Sequence, residues 1–117
     1  MHTNFITRMN DERIQQLTRF VEEEPGEPFN IYALAMEYIN DQPTQARLYL
    51  DRLLVEHPDY LPAYYHAAAL YADLAERERA TELYNKGIAL AKAQNKQKTL
   101  QELERALKAL EEDDDEW

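Results

Sequence analysis

The sequence predicts an all-α fold of about six helices, built as antiparallel hairpins. Three observations carry this reading. Ala and Leu number 15 each while Val numbers two, a composition that leans strongly to helix. Apolar residues recur at three- and four-residue spacing, and no strand-like alternation competes anywhere. Prolines and short polar breaks cut the chain into segments of helical length, and breaks this short force neighbouring helices to pack antiparallel.

The first helix is expected from about Asp11 to Glu24. Ile14, Leu17 and Val21 form its stripe, Phe20 widens it, and Pro25-Gly26 ends it. The second, about Phe29 to Asn40, is opened by Pro28, which suits a first helical turn. Asp41 is the expected cap of the third helix, about 43–56, after the break Asp41-Gln42-Pro43. His57-Pro58-Asp59 closes that helix, and Pro62 opens the fourth, about 62–75. A tight turn near Ala75-Glu76-Arg77 leads into the fifth, about 77–93, and Asn95 breaks the chain again. The sixth, about 97–112, carries a narrow seam of Leu100, Leu103, Leu107 and Leu110.

These hairpins repeat. Ile31, Leu34, Ala35 and Tyr38 recur 33 residues later as Tyr64, Ala67, Ala68 and Tyr71. Ala46, Leu50 and Leu53 recur 34 later as Ala80, Tyr84 and Gly87. Leu17, Phe20, Val21 and Pro25 recur 33 later as Leu50, Leu53, Leu54 and Pro58. Self-similarity at this period marks a helical repeat array. The expected organisation is a flexible N-terminus over 1–9 and one repeat domain over 10–112. That domain divides into a half-repeat 10–27, repeats 28–60 and 61–94, and a capping helix 96–112, with an acidic tail 113–117 behind it.

On these residues the chain resembles a small bacterial-type tetratricopeptide repeat protein. That repeat runs W-x2-L-G-x2-Y, then A-x3-F, then P over about 34 residues. Here the second repeat reads Tyr64-x2-Ala67-Ala68-x2-Tyr71 and Ala80-x3-Tyr84, but has Lys92 where the proline belongs. The first reads Ile31-x2-Leu34-Ala35-x2-Tyr38, Ala46-x3-Leu50 and Pro58, one residue short in its internal turn. The Trp slot never holds Trp, and the Gly slot holds Ala both times. Small residues at Ala35, Ala46, Ala68 and Ala80 allow close helix approach, and Tyr38, Tyr71, Leu50 and Tyr84 fill space between hairpins. The resemblance implies a short right-handed solenoid with capping helices at both ends, whose first helices line a concave groove that holds a partner peptide or helix.

The expected groove residues are Phe29, Tyr32, Met36 and Ile39 from the first repeat and Pro62, Tyr65, Ala69 and Ala72 from the second. Tyr32 and Tyr65 occupy equivalent positions. This stripe is apolar and aromatic, and it lacks the Lys, Arg and Asn residues with which one subset of the family clamps a terminal carboxylate. It suits an amphipathic helix or a hydrophobic peptide. Three occupants stay open: a terminal helix of the same chain, a second copy, and an external protein.

Composition excludes most enzyme classes. Without Cys or Ser there is no thiol or serine nucleophile and no thiolate metal site. Two glycines, Gly26 and Gly87, cannot build a phosphate-binding loop. His57 and His66 are nine residues apart across a proline break, which is not a metal-ligand spacing, and His2 lies near the start. Glu22-Glu23-Glu24 reads as a solvated helix end. No enzyme, catalytic residue, cofactor or metal is therefore expected.

The net charge is −10, and the contiguous acids Glu111 to Glu116 account for six of it. The remainder, 13 basic against 17 acidic residues, carries −4, so neither nucleic acid nor an anionic membrane is an expected partner. The acid run reads as a solvated tail that frays the last helical turn, and Trp117 as part of it. No stretch of 1–9 has the apolar length of a secretory signal, and no run approaches a membrane span, which fits the cytoplasm. The expected function is a non-enzymatic adaptor or scaffold module that binds a protein partner. The alternative is a self-assembling unit, a homodimer or larger homo-oligomer, that uses the same groove or an exposed end.

Overall fold

The computed structural model describes residues 5–115, with side chains described for residues 11–113. These residues form six helices: α1 Phe5–Glu23, α2 Pro28–Tyr38, α3 Pro43–Glu56, α4 Pro62–Asp73, α5 Arg77–Ala93 and α6 Gln97–Asp115. Among the described residues there is no strand. The chain divides into two compact units, Met1–His57 and Pro58–Trp117.

In the first unit α2 packs against both α1 and α3. α1 begins at Phe5, six residues ahead of the expected start at Asp11, so part of the stretch expected to be flexible is helical. Residues 5–10 contain no glycine or proline, so nothing in the backbone stops the helix from extending backwards. His2 lies outside the described residues. α2 starts at Pro28, whose fixed φ and missing N–H suit a first turn. Its N-cap is Glu27, whose carboxylate accepts a hydrogen bond from the Phe29 backbone N–H at 3.2 Å. α3 is not capped by Asp41 as expected: the capping position belongs to Gln42, and no side-chain bond is made there. Pro43 in the first turn already removes one of the donors that a cap would satisfy.

Ile31, Leu34 and Ala35 of α2 and Ala46, Leu50 and Leu53 of α3 are fully buried, and Val21 of α1 is nearly so. Each large aliphatic here contributes about 1.5–3 kcal/mol by leaving water. Tyr38 and Tyr49 stack between α2 and α3, with ring centroids 5.8 Å apart and planes 2° from parallel. Arg13 pairs with Glu37 at 2.5 Å and ties α1 to α2.

In the second unit α5 packs against α4 on one side and α6 on the other. Two long-range hydrogen bonds give the direction of these helices. Gln94, just past the end of α5, donates to the Asp59 carbonyl ahead of α4 at 2.9 Å. Arg77, at the start of α5, donates to the Leu110 carbonyl late in α6. Both pairs of neighbours are therefore antiparallel.

The two turns of this unit share one chemistry. After α4, Glu76 N–H reaches the Tyr71 carbonyl at 2.9 Å and Ala75 N–H the Ala72 carbonyl at 3.0 Å. After α5, Lys96 N–H reaches Ala91 at 2.9 Å and Asn95 N–H reaches Lys92 at 3.2 Å. This closure requires a left-handed residue, supplied by Ala75 at φ 64° and Asn95 at φ 56°. Asn adopts that region readily, whereas Ala pays for it.

Gly87, buried in the middle of α5, is where three helices converge. A Cβ built there would lie 2.9 Å from Tyr64 Cβ of α4 and 3.2 Å from Leu103 Cδ1 of α6. The missing side chain is what lets α4 and α6 close on α5. Leu103 is fully buried, while Leu100, Leu107 and Leu110 of the seam are half-buried. α6 continues to Asp115, into the acidic tail 113–117 expected to lie beyond its end. No glycine or proline interrupts 97–115, and the exposed like charges of Glu111, Glu112 and Asp113 are too well solvated to break a helix that is otherwise intact. Trp117 lies outside the described residues.

Candidate functional site

The expected stripe of α2 follows from helical spacing. Phe29, Tyr32, Met36 and Ile39 are separated by three, four and three residues, which keeps them on one side of the helix. The adjoining side, Ile31, Leu34 and Ala35, is fully buried. The stripe is not: Phe29 is 58% exposed, and Tyr32, Met36 and Ile39 are half-buried. Ile39 sits one residue past the helix, still with helical backbone angles, and its N–H bonds to the Met36 carbonyl. Burial raises the Tyr32 phenol pKa above its usual value of 10.0.

α4 repeats the arrangement with smaller side chains. Pro62, Tyr65, Ala69 and Ala72 share a side by the same spacing. Ala63, Tyr64, Ala67, Ala68, Leu70 and Tyr71 are buried. Pro62 is exposed, Tyr65 is 36% exposed, and Ala69 and Ala72 are half-buried. The Tyr65 ring is held edge-on by two neighbours, Tyr84 of α5 at 6.4 Å and His66 at 5.4 Å. Burial lowers the His66 pKa below the ordinary 6.5. It raises the Tyr84 pKa above 10.0, and nearby Tyr65 and Asp73 add to that.

Beside Tyr65 the second unit opens a cavity of about 670 Å³. Its lining comes from three places. The segment ahead of α4 gives Asp59, Tyr60 and Leu61; α4 gives Pro62, Tyr65 and His66; the end of α5 and the start of α6 give Gln94, Lys96, Thr99 and Glu102. Two bonds to backbone carbonyls fasten the segment ahead of α4. Tyr64 donates its phenol hydrogen to the Pro58 carbonyl at 2.6 Å, and Gln94 holds the Asp59 carbonyl. The cavity therefore exists before anything enters it. Its chemistry is a phenol wall, an imidazole, an ammonium, a hydroxyl and two carboxylates, with no activated nucleophile.

Of the residues expected from sequence, only Pro62 and Tyr65 reach this cavity. The α6 contribution went unforeseen because α6 reads as a plain cap. One signal existed: Lys96 and Thr99 lie 34 residues after Pro62 and Tyr65, so carrying the repeat period one step further points to both. Gln94 and Asp59 had no such signal. Among the described residues no group of His, Asp or Glu is placed to hold a metal ion. None of the helices is long and apolar enough to cross a membrane, among the described residues.

No family model matches the sequence, and no curated protein does. Solved structures do match. The crystal structure of a tetratricopeptide repeat domain protein from Salinibacter ruber is 36% identical, with a TM-score of 0.70 over 73% of this chain and 96% of that one. A solution NMR structure of a tetratricopeptide repeat domain protein from the same organism is also 36% identical, with a TM-score of 0.70 over 74% of this chain and 89% of that one. Identity at this level, spread over nearly the whole of the related domain, agrees with the repeat spacing, the buried small residues and the all-α hairpins: the chain belongs to the tetratricopeptide repeat family.

Proposed function

We propose that this protein is a non-enzymatic interaction module that binds a peptide or helix of a protein partner on outward apolar stripes, carried by α2 in the first unit and, separately, by α4 in the second. One observation carries the reading. On α2 the core-facing side is completely buried, while a large aromatic, Phe29, stands 58% exposed in line with Tyr32, Met36 and Ile39. Exposed aromatic and Met side chains in register provide adaptable contact area for an apolar partner face. Tyr65, Ala69 and Ala72 offer the equivalent surface on α4, and the family commonly serves protein–protein interaction. The cytoplasm is the compartment this reading assumes.

The test is capture of a partner from native lysate by the wild type beside the double variant Tyr32→Arg, Tyr65→Arg. Capture by the wild type alone, with unchanged helicity in the variant, supports docking on the stripes. Equal capture by both overturns it. A variant that unfolds assigns these tyrosines to the core. Sedimentation addresses the alternative, self-assembly through the same surface or an exposed end, since it predicts a mass rising with concentration from 13.8 kDa toward twice that value.

A further inference from the structure

We propose that the cavity beside Tyr65 takes the cationic side chain, Lys or Arg, of a partner peptide whose apolar face lies on the α4 stripe. The inference rests on the reading of that stripe as a docking surface and adds the chemistry of what enters next to it.

The walls suit such a side chain. Tyr60, Pro62 and Tyr65 present aromatic and apolar surface to the aliphatic stem of Lys or Arg. Aromatic ring faces also attract the charged head. The electrostatics point the same way. Asp59 and Glu102 are exposed carboxylates on the lining. Lys96 is the one cationic residue on the lining, so two carboxylates against one ammonium leave it at −1, within a chain of −10. His66 adds nothing to the positive side at neutral pH, because burial favours its uncharged form. A partner carboxylate entering here would face two like charges.

Geometry supports this independently. The segment over Pro58–Leu61 is fastened at the Pro58 and Asp59 carbonyls, so a guest does not have to order it. The volume of about 670 Å³ accommodates a long side chain with its first hydration shell.

The test is calorimetric titration of the full chain with three synthetic helical peptides of one shared apolar face. Their flanking polar positions carry arginine, glutamine or glutamate. The arginine peptide is expected to bind about two- to fivefold more tightly than the glutamine peptide at low salt, and the glutamate peptide most weakly. The advantage of arginine shrinks as salt is raised. Asp59→Asn with Glu102→Gln removes the advantage of arginine over glutamine, whereas Lys96→Gln enlarges that advantage. Tightest binding of the glutamate peptide, or an arginine preference that survives the double variant, overturns the proposal. Equal binding of all three peptides overturns the cationic guest alone and keeps the docking surface. Binding of none overturns the docking surface and the inference with it.

Discussion

The two units of the chain carry the same repeat pattern and pack it differently. Between residues 11 and 57, seven hydrophobic residues are buried and four large ones are exposed: Phe20, Phe29, Leu48 and Val55. From 58 to 113, twelve are buried, and only Tyr65 and Leu74 stay exposed among the large ones. Residue size underlies the contrast. The second unit buries Ala63, Ala67, Ala68, Ala80, Ala91 and Gly87 at its helix contacts, whereas the first buries Ala35 and Ala46. Small residues let backbones approach, and close approach leaves less side-chain surface outside. The second unit is also tied by the Gln94, Tyr64 and Arg77 bonds to backbone carbonyls. In the first unit a tyrosine stack joins α2 to α3 and a partly exposed ion pair joins α1 to α2. One repeat pattern thus yields one unit with a preformed cavity and another that keeps more large apolar side chains outside.

The contrast can be broken from its strongest point downward. Leu103→Ala removes a fully buried side chain at the closure of α6 on α5. A loss of about 2–5 kcal/mol is expected in denaturant titration. Gly87→Ala should come next. Alanine gains about 1 kcal/mol in helix propensity. Overpacking costs about 1–3 kcal/mol, toward the upper end here because Tyr64 Cβ cannot move without its helix. A net loss of about 1–2 kcal/mol, against the propensity scale, would show that close approach decides this position; a net gain would show that α4 can yield.

Ala75→Gly should act in the opposite direction. It relieves a left-handed alanine and should raise the stability of the second unit by about 0.5 kcal/mol, after the entropy that glycine adds to the unfolded chain. Phe29→Ser, in the first unit, should stay within about 0.5 kcal/mol, because the ring is already mostly in water. A larger loss would mean that Phe29 is held by the fold and not kept for a partner.

The smallest effect concerns pH. His66 has its pKa lowered in the folded state by burial, so the native protein favours the neutral ring. Its contribution is fully present above the unfolded value of 6.5 and is lost as pH falls through 6.5 toward the lower folded value. Thermal scans across that window should show stability declining with acid in the wild type and a flatter profile in His66→Gln.

Much of the fold was legible before any tertiary contact was known. α3 and α5 fall where the proline and turn residues place them, because Pro43, Pro58 and Asn95 act on the backbone locally. Ala35, Ala46, Ala68 and Ala80, read as points of close approach from the repeat alignment, are all fully buried. The stripe of Phe29, Tyr32, Met36 and Ile39 follows from the same spacing. Helix ends were less legible. α1 starts early and α6 runs long because a helix without a breaker continues until something stops it, and side-chain character alone marks no boundary.

The sequence by itself determined the helices, their order and the repeat, since these depend on apolar spacing and on backbone-restricting residues within a few positions of each other. Tertiary structure decided the rest. Gly87 aligns with Leu53 in the repeat and looks like a weakened core position; only the approach of Tyr64 and Leu103 shows that the space is already filled. The cavity beside Tyr65 joins Asp59 to Gln94, which are 35 residues apart, and adds Glu102 from a helix that reads as a cap. Such a site depends on how antiparallel helices bring distant ends together, and the depth of that approach is set by side-chain volumes on three helices at once.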